Sequence, residues 1–169
     1  MRAPGLLLTC AAAMLLAGCA GYHLGSVNPE TGDRSIEVLP FNNQTLQPRL
    51  GDAVTLALRE RLQADGTYQL ATRGGGDIVV TGVITGYNRE GLSFLNNDVA
   101  TVENYRVGVT ARIVARQRRT GKLLLDKDVR GYTLIHVGAD LASAERQSLP
   151  LLAEDLARNA AELLTEGEW

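Results

Sequence analysis

Between Tyr105 and Arg116 apolar or small residues take every second position: Tyr105, Val107, Val109, Ala111, Ile113 and Ala115, with Arg106, Thr110, Arg112 and Arg116 among those between them. A period of two sends neighbouring side chains to opposite sides of an extended chain, so one face is core and the other is wet and basic. Arg118-Arg119-Thr120-Gly121 then turns the chain into a second long strand, Lys122 to Val137. Together they predict an antiparallel hairpin whose turn end carries Arg116, Arg118, Arg119 and Lys122.

The apolar face of such a hairpin asks for a covering layer, and two stretches can supply it. Leu50, Val54, Ala57, Leu58 and Leu62 recur at helical spacing after Pro48, which suits a first helical turn, and Gly66 stands where a left-handed cap is wanted. Leu149, Leu152, Leu156, Ala160 and Leu163 share one face of a last helix, from near Ala139 to about Leu164. Pro150 inside it predicts a kink, or a restart with Ser148 as N-cap. Ser35 to Leu39 reads as a first strand ended by Pro40, and Phe41 to Thr45 as a polar loop. Tyr68 to Thr72 is a short strand, Gly74-Gly75-Gly76 a turn, and β-branched Asp77 to Tyr87 a central strand. Gly82 and Gly86 within it suggest a bend or a close helix crossing. Asn88 to Thr101 reads as a longer polar connection with Asn96-Asn97-Asp98 at its tip.

The N-terminus is a different kind of segment. One early cation, Arg2, precedes an apolar run from Leu6 to Leu16 that is too short to span a ~30 Å hydrocarbon core. That layout is a secretory signal. Leu16-Ala17-Gly18-Cys19 resembles the lipobox of bacterial lipoproteins, in which the Cys thiol takes a diacylglycerol and the peptide is cut before it. The resemblance implies a signal peptide at 1–18 and lipidation at Cys19; the small, polar, turn-rich stretch from Ala20 to Arg34 makes 19–34 a lipidated tether, with Tyr22 and Leu24 as candidates to dock onto the domain. Ala20 stands where an inner-membrane retention signal has Asp, which favours the outer membrane, periplasmic face. Removing 18 of the 169 residues leaves 151, enough for one domain, and moves the formal charge from −2 to −3. Cys10 leaves with the signal and Cys19 carries lipid, so no disulfide pair remains.

A mildly acidic chain with 5% aromatic residues is a poor nucleic-acid binder. His23 and His136 have no metal-spaced partner or nucleophile nearby, and Asp126 and Asp128 on one strand face read as solvated charges. The glycine run at 74–76 lacks the Lys-Ser/Thr and the following helix of a phosphate loop. The chain reads as a binding or scaffolding module without catalytic residues.

In their order and spacing the elements resemble the LptE family of lipopolysaccharide-assembly lipoproteins. The matching residues are Cys19 with Gly21-Tyr22-His23-Leu24, Ile36-Glu37-Val38-Leu39-Pro40-Phe41-Asn42-Asn43-Gln44-Thr45, Pro48-Arg49-Leu50, Tyr105-Arg106-Val107 and Thr120-Gly121-Lys122. Ser143-Ala144-Glu145-Arg146, Leu156-Ala157 and Trp169 complete them. Ala20, inserted between Cys19 and Gly21, departs from the pattern. The resemblance implies an α+β two-layer domain over 35–169, two helices packed on one face of a mostly antiparallel four- to five-stranded sheet. It also implies a plug in the LptD outer-membrane barrel that contacts lipopolysaccharide, with no cofactor or metal beyond the covalent lipid. A phosphorylated glycolipid needs cations at fixed positions, and Arg112, Arg116, Arg118, Arg119 and Lys122 offer them. The same cluster is also what keeps an exposed hairpin soluble. Two other lipoprotein classes share the early Val38-Leu39-Pro40-Phe41 pattern: activators of peptidoglycan synthases and subunits of curli-type export pores.

Overall fold

The computed structural model describes residues 35–95, 98–137 and 140–166. The signal peptide, the tether, the expected tip at Asn96-Asn97 and Trp169 lie outside them. Strand β1 (Ser35–Val38) buries Ile36 and Val38 and leaves their neighbours half-exposed. After Pro40 the chain rejoins the sheet as β2 (Asn42–Asn43), so the expected polar loop contains a short strand. The Asn43 side chain then shapes the turn: its Oδ1 accepts from the Thr45 N–H at 3.0 Å and its Nδ2 donates to Gln47 O at 2.7 Å.

Helix α1 (Leu50–Asp65) buries Leu50, Val54, Leu58 and Leu62, one stripe at the expected period, and Gly66 caps it at φ 77°. Pro48 stands outside the first turn, and left-handed Arg49 redirects the chain into the helix. Arg59 reaches back from α1 and donates Nη2–H to Val38 O at 2.6 Å, tying helix to strand. Strand β3 (Gln69–Leu70) follows, shorter than expected, and pairs with β1.

The largest departure from the sequence reading comes next. Strand β4 (Ile78–Leu95) and β5 (Asp98–Gln117) form one long antiparallel ladder, so Asn88 to Thr101 is no loose connection. Asn88, Arg89 and Glu90 pair with Gly108, Val107 and Arg106. Ladder bonds use the backbone, so polar side chains are accepted wherever they project into water. A register shift between Ile84 and Gly86 inserts one residue. Ile84 and Tyr87 thereby stand opposite Ala111 and Val109, both core positions of β5. Strand β6 (Leu123–His136) closes the predicted hairpin with β5.

The sheet has six strands in the order β3-β1-β4-β5-β6, with β2 also beside β4, and it is mixed. β1 runs parallel to β3 and β4, and β2 parallel to β4. This corrects the expectation of a mostly antiparallel four- to five-stranded sheet. The reason is α1, which carries the chain back so that β3 and β4 start at the same end as β1. The α+β class and the two helices on a sheet stand.

Helix α2 (Leu141–Thr165) is one run through Pro150. Its N-cap is Asp140, whose carboxylate accepts from Ala142 N–H at 3.1 Å and Ser143 N–H at 3.0 Å. Ser148 is therefore no cap; its buried hydroxyl donates to Glu145 O. Helix α2 covers β5 and β6 and packs against α1. Leu152, Leu156, Ala160 and Leu164 sit in one core with Val107, Val109, Ala111, Ile113 and Ala115. The close crossing falls at Gly131 in β6, where an added Cβ would lie 2.6 Å from Leu156 N. Gly82, the expected crossing point, instead makes room for the Phe41 ring, 2.1 Å from an added Cβ.

Because β6 is the last strand of the sheet, its outer backbone groups need partners. Helix α2 provides some: Tyr132 N–H donates to Asp155 Oδ2 at 2.9 Å, and Asn159 Nδ2–H to Arg130 O at 2.8 Å. Two side chains one helical turn apart thus stand where a seventh strand would pair.

Candidate functional site

Among the described residues, helices cover one face of the sheet and leave the other open. On the open face, Arg112 and Arg116 project from β5 four residues apart, about 13 Å along a strand. Arg112 is committed: its Nε and Nη2 meet the two carboxylate oxygens of Asp126 at 2.7 and 2.8 Å. The forked bond holds the Asp126 carboxyl below its ordinary value and raises the Arg112 guanidinium. Arg116 makes a long contact, 3.5 Å to Gly121 O, and its charge adds to that of Arg112 in holding down the Asp126 carboxyl.

Arg118, Arg119 and Lys122 sit at the β5–β6 turn, as the hairpin predicts. Arg118 is a brace: its Nε donates to Gly76 O at 2.7 Å and its Nη2 pairs with the Glu37 carboxylate. Arg119 and Lys122 are exposed and form no ion pair among the described residues. The five predicted cations therefore lie on one end and one face of the sheet, but two of them are bound to carboxylates. Arg73, exposed in the turn before β4, belongs to the same end and was not anticipated. Sheet order and the Arg118 brace bring it there, and nothing in local sequence connects the two turns.

A second polar cluster fastens α2 to β4. The Tyr87 hydroxyl donates to Glu145 Oε1 at 3.3 Å, and Arg89 Nη1 stands 3.1 Å from the same oxygen. Burial, with the Glu145 charge beside it, pushes the Tyr87 hydroxyl up to about 12. The cluster borders a recess lined by Gln44, Gln47 and Thr85. It also escaped the sequence reading, since its members stand 58 residues apart.

Candidate chemistry elsewhere resolves into structure. His136 Nδ1 lies 3.0 Å from Asn104 Oδ1 across the β5–β6 ladder. Among the described residues no group of three or more His, Cys, Asp or Glu is placed to hold a metal. No helix among them is long and apolar enough to cross a membrane. Cys19 lies outside the described residues.

The fold recurs in solved structures of low identity. A hypothetical protein from Chlamydia trachomatis matches with a TM-score of 0.58 at 9% identity, covering 80% of this chain and 98% of its own. A minor lipoprotein from Acinetobacter baumannii matches at 0.53 and 13% identity, covering 79% and 94%. A lipoprotein from Caulobacter crescentus matches at 0.52 and 10%, covering 75% and 88%. No curated protein matches significantly in sequence. The family model LptE, lipopolysaccharide-assembly, matches residues 34–166, from just ahead of β1 to the end of α2. The chain belongs to the LptE family of lipopolysaccharide-assembly proteins.

Proposed function

We propose that the chain is an outer-membrane lipoprotein, cut before Cys19 and lipidated there, whose domain plugs and assists assembly of an LptD-like barrel while contacting lipopolysaccharide in transit. The role is non-enzymatic and needs no cofactor. Family membership over 34–166 is the observation that carries this reading. The lipobox resemblance of Leu16-Ala17-Gly18-Cys19 supports the signal at 1–18, the turn-rich sequence after it supports the tether at 19–34, and the family match supports a domain from Ser35.

Lipopolysaccharide phosphates would meet the basic end of the hairpin. Of the proposed residues Arg112, Arg116, Arg118, Arg119 and Lys122, only Arg116, Arg119 and Lys122 form no ion pair among the described residues, so they are the ones to reverse. Changing Arg118 would also break its bonds to Glu37 and Gly76, and lost binding could not then be told from a loosened fold. Arg116→Glu, Arg119→Glu and Lys122→Glu together should abolish lipopolysaccharide binding by the purified protein while its thermal melt barely moves. Unchanged binding removes the patch from the mechanism. A pull-down from detergent-solubilised outer membranes should recover a large barrel protein. A penicillin-binding protein or a self-assembled ring in its place would favour one of the other two lipoprotein classes.

A further inference from the structure

Three chain segments meet at one end of the sheet, and the bonds between them are direct. The Ser35 N–H and hydroxyl donate to Asp77 Oδ2 at 3.1 and 2.6 Å, and Asp77 N–H donates back to Ser35 Oγ at 2.9 Å. Arg118 N–H donates to Asp77 O at 2.7 Å, and the Arg118 side chain holds Gly76 and Glu37. The point where the chain enters the domain, the turn at 72–77 and the hairpin turn at 117–122 are thus one cross-braced unit.

That unit is cationic. Arg73, Arg116, Arg119 and Lys122 are exposed there and form no ion pair among the described residues. The acids at this end are engaged, Glu37 by Arg118 and Asp77 by Ser35. Leu123, 46% exposed, stands beside Lys122 and opposite Arg116. At the other end of the ladder the cations are neutralised, Arg89 by Glu145 and Arg106 by Glu90.

We propose that, before the domain is seated in its barrel, this end rests on the anionic phospholipid headgroups of the leaflet that holds the Cys19 anchor, with Arg73, Arg119 and Lys122 as its contacts and Leu123 among them. The inference deepens the lipoprotein reading above and depends on lipidation at Cys19. Two observations select the occupant. The anchor joins the domain at Ser35, inside the braced unit, and the charge there is complementary to headgroup phosphates. From Cys19 to Ser35 the chain can reach at most about 55 Å, so the tether permits contact without enforcing it. What holds the domain down is then attraction between basic residues and the negative surface. This attraction is felt only within a Debye length, about 8 Å at physiological salt. An exposed apolar side chain amid cations is the composition of an interfacial contact.

The test uses the full chain, processed and lipidated in a lipoprotein-producing host, on phosphatidylcholine vesicles with and without phosphatidylglycerol. Hydrogen exchange of the 72–77 and 117–123 amides should slow several-fold on the anionic vesicles only. High salt should remove the protection, as should Arg73→Glu, Arg119→Glu and Lys122→Glu combined; an unchanged melting temperature excludes misfolding in that variant. Equal exchange on both vesicles overturns the proposal. Protection that appears only when lipopolysaccharide is added also overturns it, while supporting the lipopolysaccharide contact. Failure of the anchor reading has its own signature: the chain does not float with either vesicle, and the proposal falls with it.

Discussion

The two faces of β4, β5 and β6 are built from alternate residues of the same strands, yet they do different work. On the helix face, Val107, Val109, Ala111, Ile113 and Ala115 are buried against Leu152, Leu156 and Leu164, and the packing tolerates little change. On the open face, Arg112, Arg116, Asp126 and Tyr132 stand in or near water, Arg112 paired with Asp126 and the Arg106 guanidinium over the Tyr132 ring. Apolar burial is worth about 25 cal/mol per Å² wherever it occurs, whereas exposed ion pairs contribute about 0–1 kcal/mol and are screened by salt. Stability therefore resides on one face, and the other is free to be shaped by partners.

The largest effect expected from breaking this division is Leu156→Ala. Leu156 is fully buried where α2 crosses β6, and a partly collapsed cavity there should cost about 2–5 kcal/mol in a urea melt. Next comes a matched pair of glycines. Gly131→Ala drives a Cβ to within 2.6 Å of backbone in α2 and should cost about 1–3 kcal/mol, because helix and strand must separate. Gly108→Ala, on the open face, meets the end of the Asn88 side chain at 2.7 Å, which can swing into solvent. Its melt should shift far less; equal shifts for the two would mean that the open face is packed as tightly as the helix face.

The smallest effect is acid sensitivity. Asp140 is held below its ordinary carboxylate value by the Ser143 hydroxyl and by the Ala142 and Ser143 N–H groups, and Asp126 by Arg112. Each pKa is depressed on folding, so each contributes stability that is fully present above the unfolded value, near 3.9. That contribution is lost as pH falls through the lower folded value. Thermal melts taken from pH 6 downward should therefore weaken only below about pH 4. Arg112→Ala should flatten that fall by lowering the melt at pH 7 by the Asp126 share, small for an exposed pair, while leaving the melt in acid almost unmoved. An unchanged acid slope would show that the forked pair on the open face contributes nothing.

How much could be read in advance depended on the range of the interaction. The alternation from Tyr105 to Ala115 and the α1 stripe at Leu50, Val54, Leu58 and Leu62 are local periods, and the structure repeats them residue by residue. Asn88 to Thr101 read as a polar connection because of residues such as Asn88, Arg89, Glu90 and Asn96-Asn97-Asp98, but the strand state of Asn88 to Leu95 comes from ladder partners in β5 some twenty residues or less away in sequence. Pro150 read as a break, yet α2 passes through it, capped by Asp140 and buried along Leu152, Leu156 and Leu164. Packing of that face outweighs one lost backbone bond. The basic cluster was visible as composition. Its division into braced and free members was not, because Glu37 lies 81 residues from Arg118.

Side-chain period, turn residues and the N-terminal cysteine motif were decided by the sequence alone, since each depends on neighbours a few positions apart. They specified two amphipathic helices, a long hairpin with a cationic turn and a lipoprotein leader as an expectation. Tertiary structure alone decided that β1, β2 and β3 run parallel to their neighbours and that α2 blocks part of the β6 edge with Asp155 and Asn159. It also decided that Ser35, Arg73 and Lys122 share one end of the molecule. The physical reason is that strand order and direction are set by which distant apolar faces can be buried together, and residues far apart in the chain meet only once that burial is complete.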